Sequence, residues 1–107
     1  MPRHRPSAPL QWMEMIRIRM DPSRRNGVED QIMTHLDGIS RTPDAPRVTV
    51  RRHLSIANDL MVVLLWPVAP ETAGSSLAYS LCREFEAYGL VDHTIWSADC
   101  LRGRRQT

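Results

Sequence analysis

The chain contains no lysine: all 14 of its basic residues are arginine, a bias for which genome composition is the plainest explanation. Cysteine is nearly absent too. Cys82 and Cys100 are far apart and form no Cys-x-x-Cys or Cys/His spacing, so neither a metal site nor a disulfide framework is expected, and both are read as unpaired thiols in a reducing cytoplasm. Long apolar runs are missing. The longest, Leu60 to Trp66, is the length of a strand, against roughly 18 residues for a membrane helix. The first residues, Met-Pro-Arg-His-Arg-Pro, have no apolar stretch behind them, so no secretory signal is expected. No nucleophile triad, phosphate-binding loop or metal constellation can be picked out.

What is present is one domain's worth of chain, 107 residues, with 42% hydrophobic and 24% charged residues. The net charge of +2 hides an asymmetry. Arg3, Arg5, Arg102, Arg104 and Arg105 put +5 in the two ends, while residues 10–100 hold nine arginines against 12 acids, a balance of −3. A nucleic-acid protein would carry its positive charge on the folded surface. No nucleic-acid partner and no membrane partner are therefore expected. Residues 1–9, with three prolines, are read as a flexible tail, 10–101 as the domain and 102–107 as a basic tail.

The alternation from Trp12 to Met20 predicts a strand with Trp12, Glu14, Ile16, Ile18 and Met20 on one side and Met13, Met15, Arg17 and Arg19 on the other. Asp21-Pro22-Ser23 then opens a helix to about Ser40, with Val28, Ile32, His35, Leu36 and Ile39 at helical spacing. His35, at the edge of this stripe, reads as structural. A second alternating strand runs from Arg47 to Ile56, a third from Leu60 to Trp66, and Pro67 and Pro70 end it. Leu77, Leu81, Phe85 and Tyr88 mark a second helix from about Glu71 to Tyr88, with Gly89 as a left-handed cap and a last strand from Val91 to Ala98. Strand–helix–strand–strand–helix–strand is the ferredoxin-like βαββαβ order, an α+β fold in which two helices cover one face of a four-stranded antiparallel sheet.

Asn58-Asp59 suits a two-residue hairpin turn. That turn would set Ser55 opposite Val62, His53 opposite Leu64 and Arg51 opposite Trp66, and would send Met61, Val63 and Leu65 under the helices. The uncovered face would then gather Arg17, Arg19, Arg51, His53, Val62, Leu64 and Trp66, with Met13 and Met15 beside them. Such a half-apolar surface calls for a partner. Arg51 beside the Trp66 ring would add a cation–π contact of roughly 0.5–2 kcal/mol. His93 and Trp96 must lie on opposite faces of the last strand.

The element order, the size, the third strand ending in Leu-Leu-Trp and the closing Tyr-Gly-Leu-Val-Asp-His-Thr-Ile-Trp together resemble the dimeric α+β barrel superfamily. Within it the chain is most similar to the antibiotic-biosynthesis-monooxygenase (ABM) type, small oxygenases of quinols and polyketides that use no cofactor. The resemblance implies a homodimer closed through the bare sheet faces and a pocket for a small aromatic molecule. Haem-degrading relatives use an Asn on strand one, a Trp on strand three and a His on helix two. Trp66 matches the Trp, but strand one has no Asn and helix two no His, so haem degradation is not implied. On this reading Arg51 stabilises a substrate anion, His53 transfers a proton and Trp66 stacks on the ring, while Arg17, Arg19, Met15, Leu64 and His93 line the substrate site. The competing reading is a ligand-binding or regulatory dimer of the same fold without turnover. An RNA-recognition domain shares the element order, but Leu-Met-Val-Val-Leu-Leu-Trp is not the basic, aromatic strand that such domains use.

Overall fold

The computed structural model describes residues 12–24, 27–39, 44–68 and 74–99; both expected tails and Cys100 lie outside them. The elements are β1 (Trp12–Met20), a 3-10 turn (Pro22–Arg24), α1 (Val28–Asp37), β2 (Arg47–Arg52), β3 (Asp59–Trp66), α2 (Ser76–Phe85) and β4 (Gly89–Ser97). The strands form one antiparallel sheet in the order β2-β3-β1-β4. This is the ferredoxin-like α+β arrangement that the sequence pattern predicts. No helix is long and apolar enough to cross a membrane among the described residues.

The first helix is shorter than its apolar spacing suggests. Gly27 takes a left-handed φ of 81°, which a helix interior does not tolerate, so Pro22–Arg24 forms a separate 3-10 turn and α1 starts at Val28. Val28, Ile32 and Leu36 then fall one turn apart on its buried side. The expected start of the second helix at Glu71 lies outside the described residues; α2 is capped by Ser75, whose hydroxyl accepts a hydrogen bond from the Ala78 amide at 3.0 Å. Gly89 is not a left-handed cap but the first residue of β4. A Cβ there would lie 2.0 Å from the carbonyl oxygen of Arg19, so glycine permits the close approach of β4 to β1.

The largest correction concerns the hairpin. β2 stops at Arg52, and residues 53–58 form a six-residue connection instead of the Asn58-Asp59 turn. His53 organises it: its Nδ1 accepts hydrogen bonds from the amides of Ser55 and Ile56, both at 2.9 Å, as a side chain does in a turn. The pairing that results sets Thr49 opposite Val63, Arg51 opposite Met61 and Val48 opposite Leu64. It exchanges the faces of β3, because shifting the register by an odd number of residues turns every side chain over. Leu60, Val62 and Leu64 lie under the helices with Ile16, Ile18 and Met20 of β1, Val28, Ile32 and Leu36 of α1, and Ala78, Leu81 and Phe85 of α2. Met61, Val63 and Leu65 are on the uncovered face. His35 meets Phe85 edge-to-face at 6.3 Å, linking the two helices.

At the far end of β1, Asp59 is buried and takes two hydrogen bonds from Arg19, at 3.0 and 3.3 Å. The Arg19 hydrogen bonds hold the Asp59 carboxyl below the usual carboxylate range against the opposing effect of burial, helped by the charges of Arg19, Arg17 and His53. A folded-state value below the unfolded one means this group stabilises the fold at neutral pH. That contribution fades as the pH falls below about 3.9 and through the lower folded value. Asp59→Asn should therefore be less stable than the wild type at pH 7, and the gap should close in acid denaturation curves. The register makes a second prediction. Leu64→Ala should cost about 2–5 kcal/mol in urea denaturation, whereas Leu65→Ala, on the uncovered face, should cost clearly less in the isolated chain.

Candidate active site

One residue breaks the apolar alternation on the inner side of β1. Glu14 stands between Trp12 and Ile16 in the core set, and its side chain is fully buried. A carboxylate there is costly unless its lone pairs are filled. All four are. Oε1 accepts from the Trp66 indole N–H at 2.8 Å and the Ser75 hydroxyl at 2.5 Å, while Oε2 accepts from the Ser75 amide at 3.0 Å and meets His93 Nε2 at 2.7 Å. An ionised carboxylate has about four acceptor sites, so the shell is complete with His93 carrying its proton on Nε2.

The sheet delivers these partners by register. Glu14 lies opposite Leu64 on β3 and Ile95 on β4, so Trp66 and His93 are its diagonal neighbours on either side. Trp66 is braced by Trp12, its direct partner on β1, with the rings stacked at 5.7 Å and 14°. From above, the first turn of α2 arrives with Ser75, whose amide adds the positive end of the helix. Gly74 makes that approach possible. Its φ is 87°, and a Cβ would lie 2.8 Å from His93 Cε1 and 2.9 Å from Glu14 Oε2.

His93 is the member of the cluster that meets solvent, with its side chain 25% exposed. It lines a groove of about 310 Å3 between α2 and β4, together with Ser75, Tyr79, Cys82, Glu86 and Val91. With Nε2 bound to Glu14, Nδ1 is left as the ring's acceptor. Tyr79 supplies an exposed aromatic wall, with the Arg83 guanidinium 5.9 Å from its ring centre. Cys82 is a free thiol. Burial, and then the charges of Glu14 and Glu86, push its pKa up, so it is not a ready thiolate nucleophile. No group of three or more metal-ligating side chains occurs among the described residues.

The residues singled out from the sequence are divided between places. Trp66, Leu64 and His93 are on the helix-covered side, with Leu64 in the core and Trp66 and His93 on Glu14. Met15, Arg17, Arg19 and Arg51 are on the uncovered side, where Arg17 pairs with Asp92 at 2.9 Å and Arg19 with Asp59. His53 stays in the β2–β3 connection. Arg51 and Trp66 are therefore not neighbours; Met61 is opposite Arg51 and Trp12 opposite Trp66. Glu14 and Ser75 were not singled out. The signal for Glu14 was a lone acid in an apolar alternation, and for Ser75 a Gly-Ser-Ser stretch ahead of Leu77.

No family model matches the chain, and neither a curated protein nor a solved structure is significantly similar to it.

Removing the hub should be expensive. Glu14→Ala leaves the Trp66, Ser75 and His93 donors without their acceptor and should cost about 3–5 kcal/mol by chemical denaturation. Glu14→Gln retains the shape but brings donor hydrogens toward donors, and should fall between Glu14→Ala and the wild type.

Proposed function

We propose that the α2–β4 groove is a small-molecule site in which His93, held by Glu14, acts as a general base. The observation that carries this reading is the pairing of a solvent-reaching imidazole with a fully buried carboxylate. A carboxylate bound to one ring nitrogen fixes the tautomer, leaves the other nitrogen to take a proton, and stabilises the imidazolium that forms. Proton abstraction from an acidic, electron-rich ring compound gives an anion able to pass electrons to oxygen. This is the step a cofactor-free monooxygenase needs, and it supports an ABM-like activity on an aromatic or quinol-type molecule bound at the helix-covered sheet face. For an anthrone-like methylene the balance is simple. The carbon loses two hydrogens and gains one oxygen atom from O2, and the second oxygen atom leaves as water.

Arg51, expected to stabilise the anion, is on the other face with Arg17 and Arg19, which were expected to line the site. Protonated His93 is then the cation nearest the charge it creates, and Arg83 over Tyr79 adds a second at the wall. The free Cys82 suits a cytoplasmic setting. The uncovered face supports a second copy as partner, because Met13, Met15, Leu65 and Trp96 form an apolar end to it. A non-catalytic binding dimer is favoured by one feature: the four acceptor sites of Glu14 are all filled by the protein's own groups.

Oxygen uptake with a panel of hydroquinones and anthrones separates the two. Turnover that falls roughly 100- to 10,000-fold in His93→Gln, with the melting temperature retained, is the expected result for a general base. Saturable binding of the same compounds without oxygen uptake would leave the binder and overturn the oxygenase.

A further inference from the structure

The two edges of the sheet differ sharply. β2 is six residues long and carries Arg47, Arg51 and Arg52, charges of the kind that keep other chains from adding to an edge. β4 is nine residues long and has no proline, lysine or arginine. Leu90 is 73% exposed on it, Trp96 54% and Ile95 39%. Its single acid, Asp92, is paired inward with Arg17. Among the described residues β4 pairs with β1 alone, so its outer row of amides and carbonyls is a template for another strand.

We propose that this edge takes β4 of a second copy, antiparallel, about a two-fold axis at His93. The strand is self-complementary in that register. Leu90 falls opposite Trp96 of the second copy and Val91 opposite its Ile95, so each exposed apolar residue meets an apolar partner on its own face of the sheet. Asp92 falls opposite Thr94, and no two carboxylates meet. Centring the axis on Asp92 instead would face two aspartates, and centring it on Thr94 would set Asp92 against Trp96. At the axis the two His93 residues are opposite each other, with Cα atoms about 4.5–5.5 Å apart, and each is already tied to its own Glu14.

This contact is separate from stacking of the uncovered faces, because Val91 and Ile95 are on the helix-covered side with His93. It joins two sheets into one of eight strands and puts both α2 helices on the same face, flanking the paired β4 strands. The groove beside each α2 then opens onto its counterpart, and the two His93–Glu14 pairs share one cleft, each completed by the other copy. That consequence, unlike the pairing, rests on reading the groove as the functional site.

Sedimentation and backbone hydrogen exchange on the full chain test the pairing, and oxygen uptake tests the site independently. A dimer at tens of micromolar should protect the β4 amides that point away from β1, and dilution to monomer should release them. Ile95→Glu, which would bury a charge against Val91, should raise the dissociation constant at least about tenfold and abolish that protection. Met61→Glu, on the uncovered face, should leave the protection in place. Outward β4 amides that exchange freely in a sample sedimenting as a dimer would overturn the proposal, as would a monomer at every concentration. A dimer insensitive to Ile95→Glu but lost in Met61→Glu would assign the association to the sheet faces instead.

Discussion

The carboxylate of Glu14 organises the interior of this protein. A buried charge is tolerated only when the structure around it supplies a full set of donors, and here those donors come from three elements besides its own. Trp66 brings β3, His93 brings β4, and Ser75 brings the start of α2. They lie 52, 61 and 79 positions from Glu14 in the chain, so the shell closes only when the sheet is assembled and the second helix has docked. Hydrophobic burial supplies most of the stability, as in any domain of this size. The Glu14 shell adds geometry: it fixes the angle at which α2 meets the sheet and the orientation of the imidazole in the groove beside it.

That arrangement explains how a plain α+β fold can hold reactive groups. The helix-covered side of the sheet is dry enough at Glu14 to make its hydrogen bonds strong, while the outer flank of α2 leaves His93 within reach of solvent. The uncovered side has a different character. Its arginines are partly spent on Asp59 and Asp92, and Met13, Met15, Leu65 and Trp96 gather toward the other end of the strands. Arg17, Arg19 and Arg51 are thereby kept on the opposite face of the sheet from the Glu14–His93 pair. The ring stack of Trp12 and Trp66 closes the site at the end of the sheet, giving the indole N–H a fixed direction toward Glu14.

The parts of the fold readable from the sequence were those with a strong period. β1 alternates over nine residues, so its inner and outer faces follow from the side-chain period alone, and the structure keeps them. The helices were legible from residues such as Val28, Ile32 and Leu36, although Gly27 and Ser75 moved their starts. The faces of β3 were not legible. Leu-Met-Val-Val-Leu-Leu-Trp is apolar at every position, so it contains no signal to say which side turns inward, and the choice passed to the length of the preceding connection. His53 then decided that length by capping a turn, a role that local spacing did not reveal.

The sequence by itself determined the order and type of the elements, the inner face of β1, and the presence of an acid on that face, because these depend on periods of two or 3.6 residues along a single segment. Only the tertiary structure decided that the acid is the hub of a site. Glu14 is separated from Ser75 by 61 positions and from His93 by 79, and what joins them is strand register and helix docking, neither of which is written in any local window. The same holds for the residues that the sequence grouped together. Arg51, His53 and Trp66 were neighbours only under one pairing of β2 with β3, and a change of that pairing by an odd number of residues puts the tryptophan on the opposite side of the sheet.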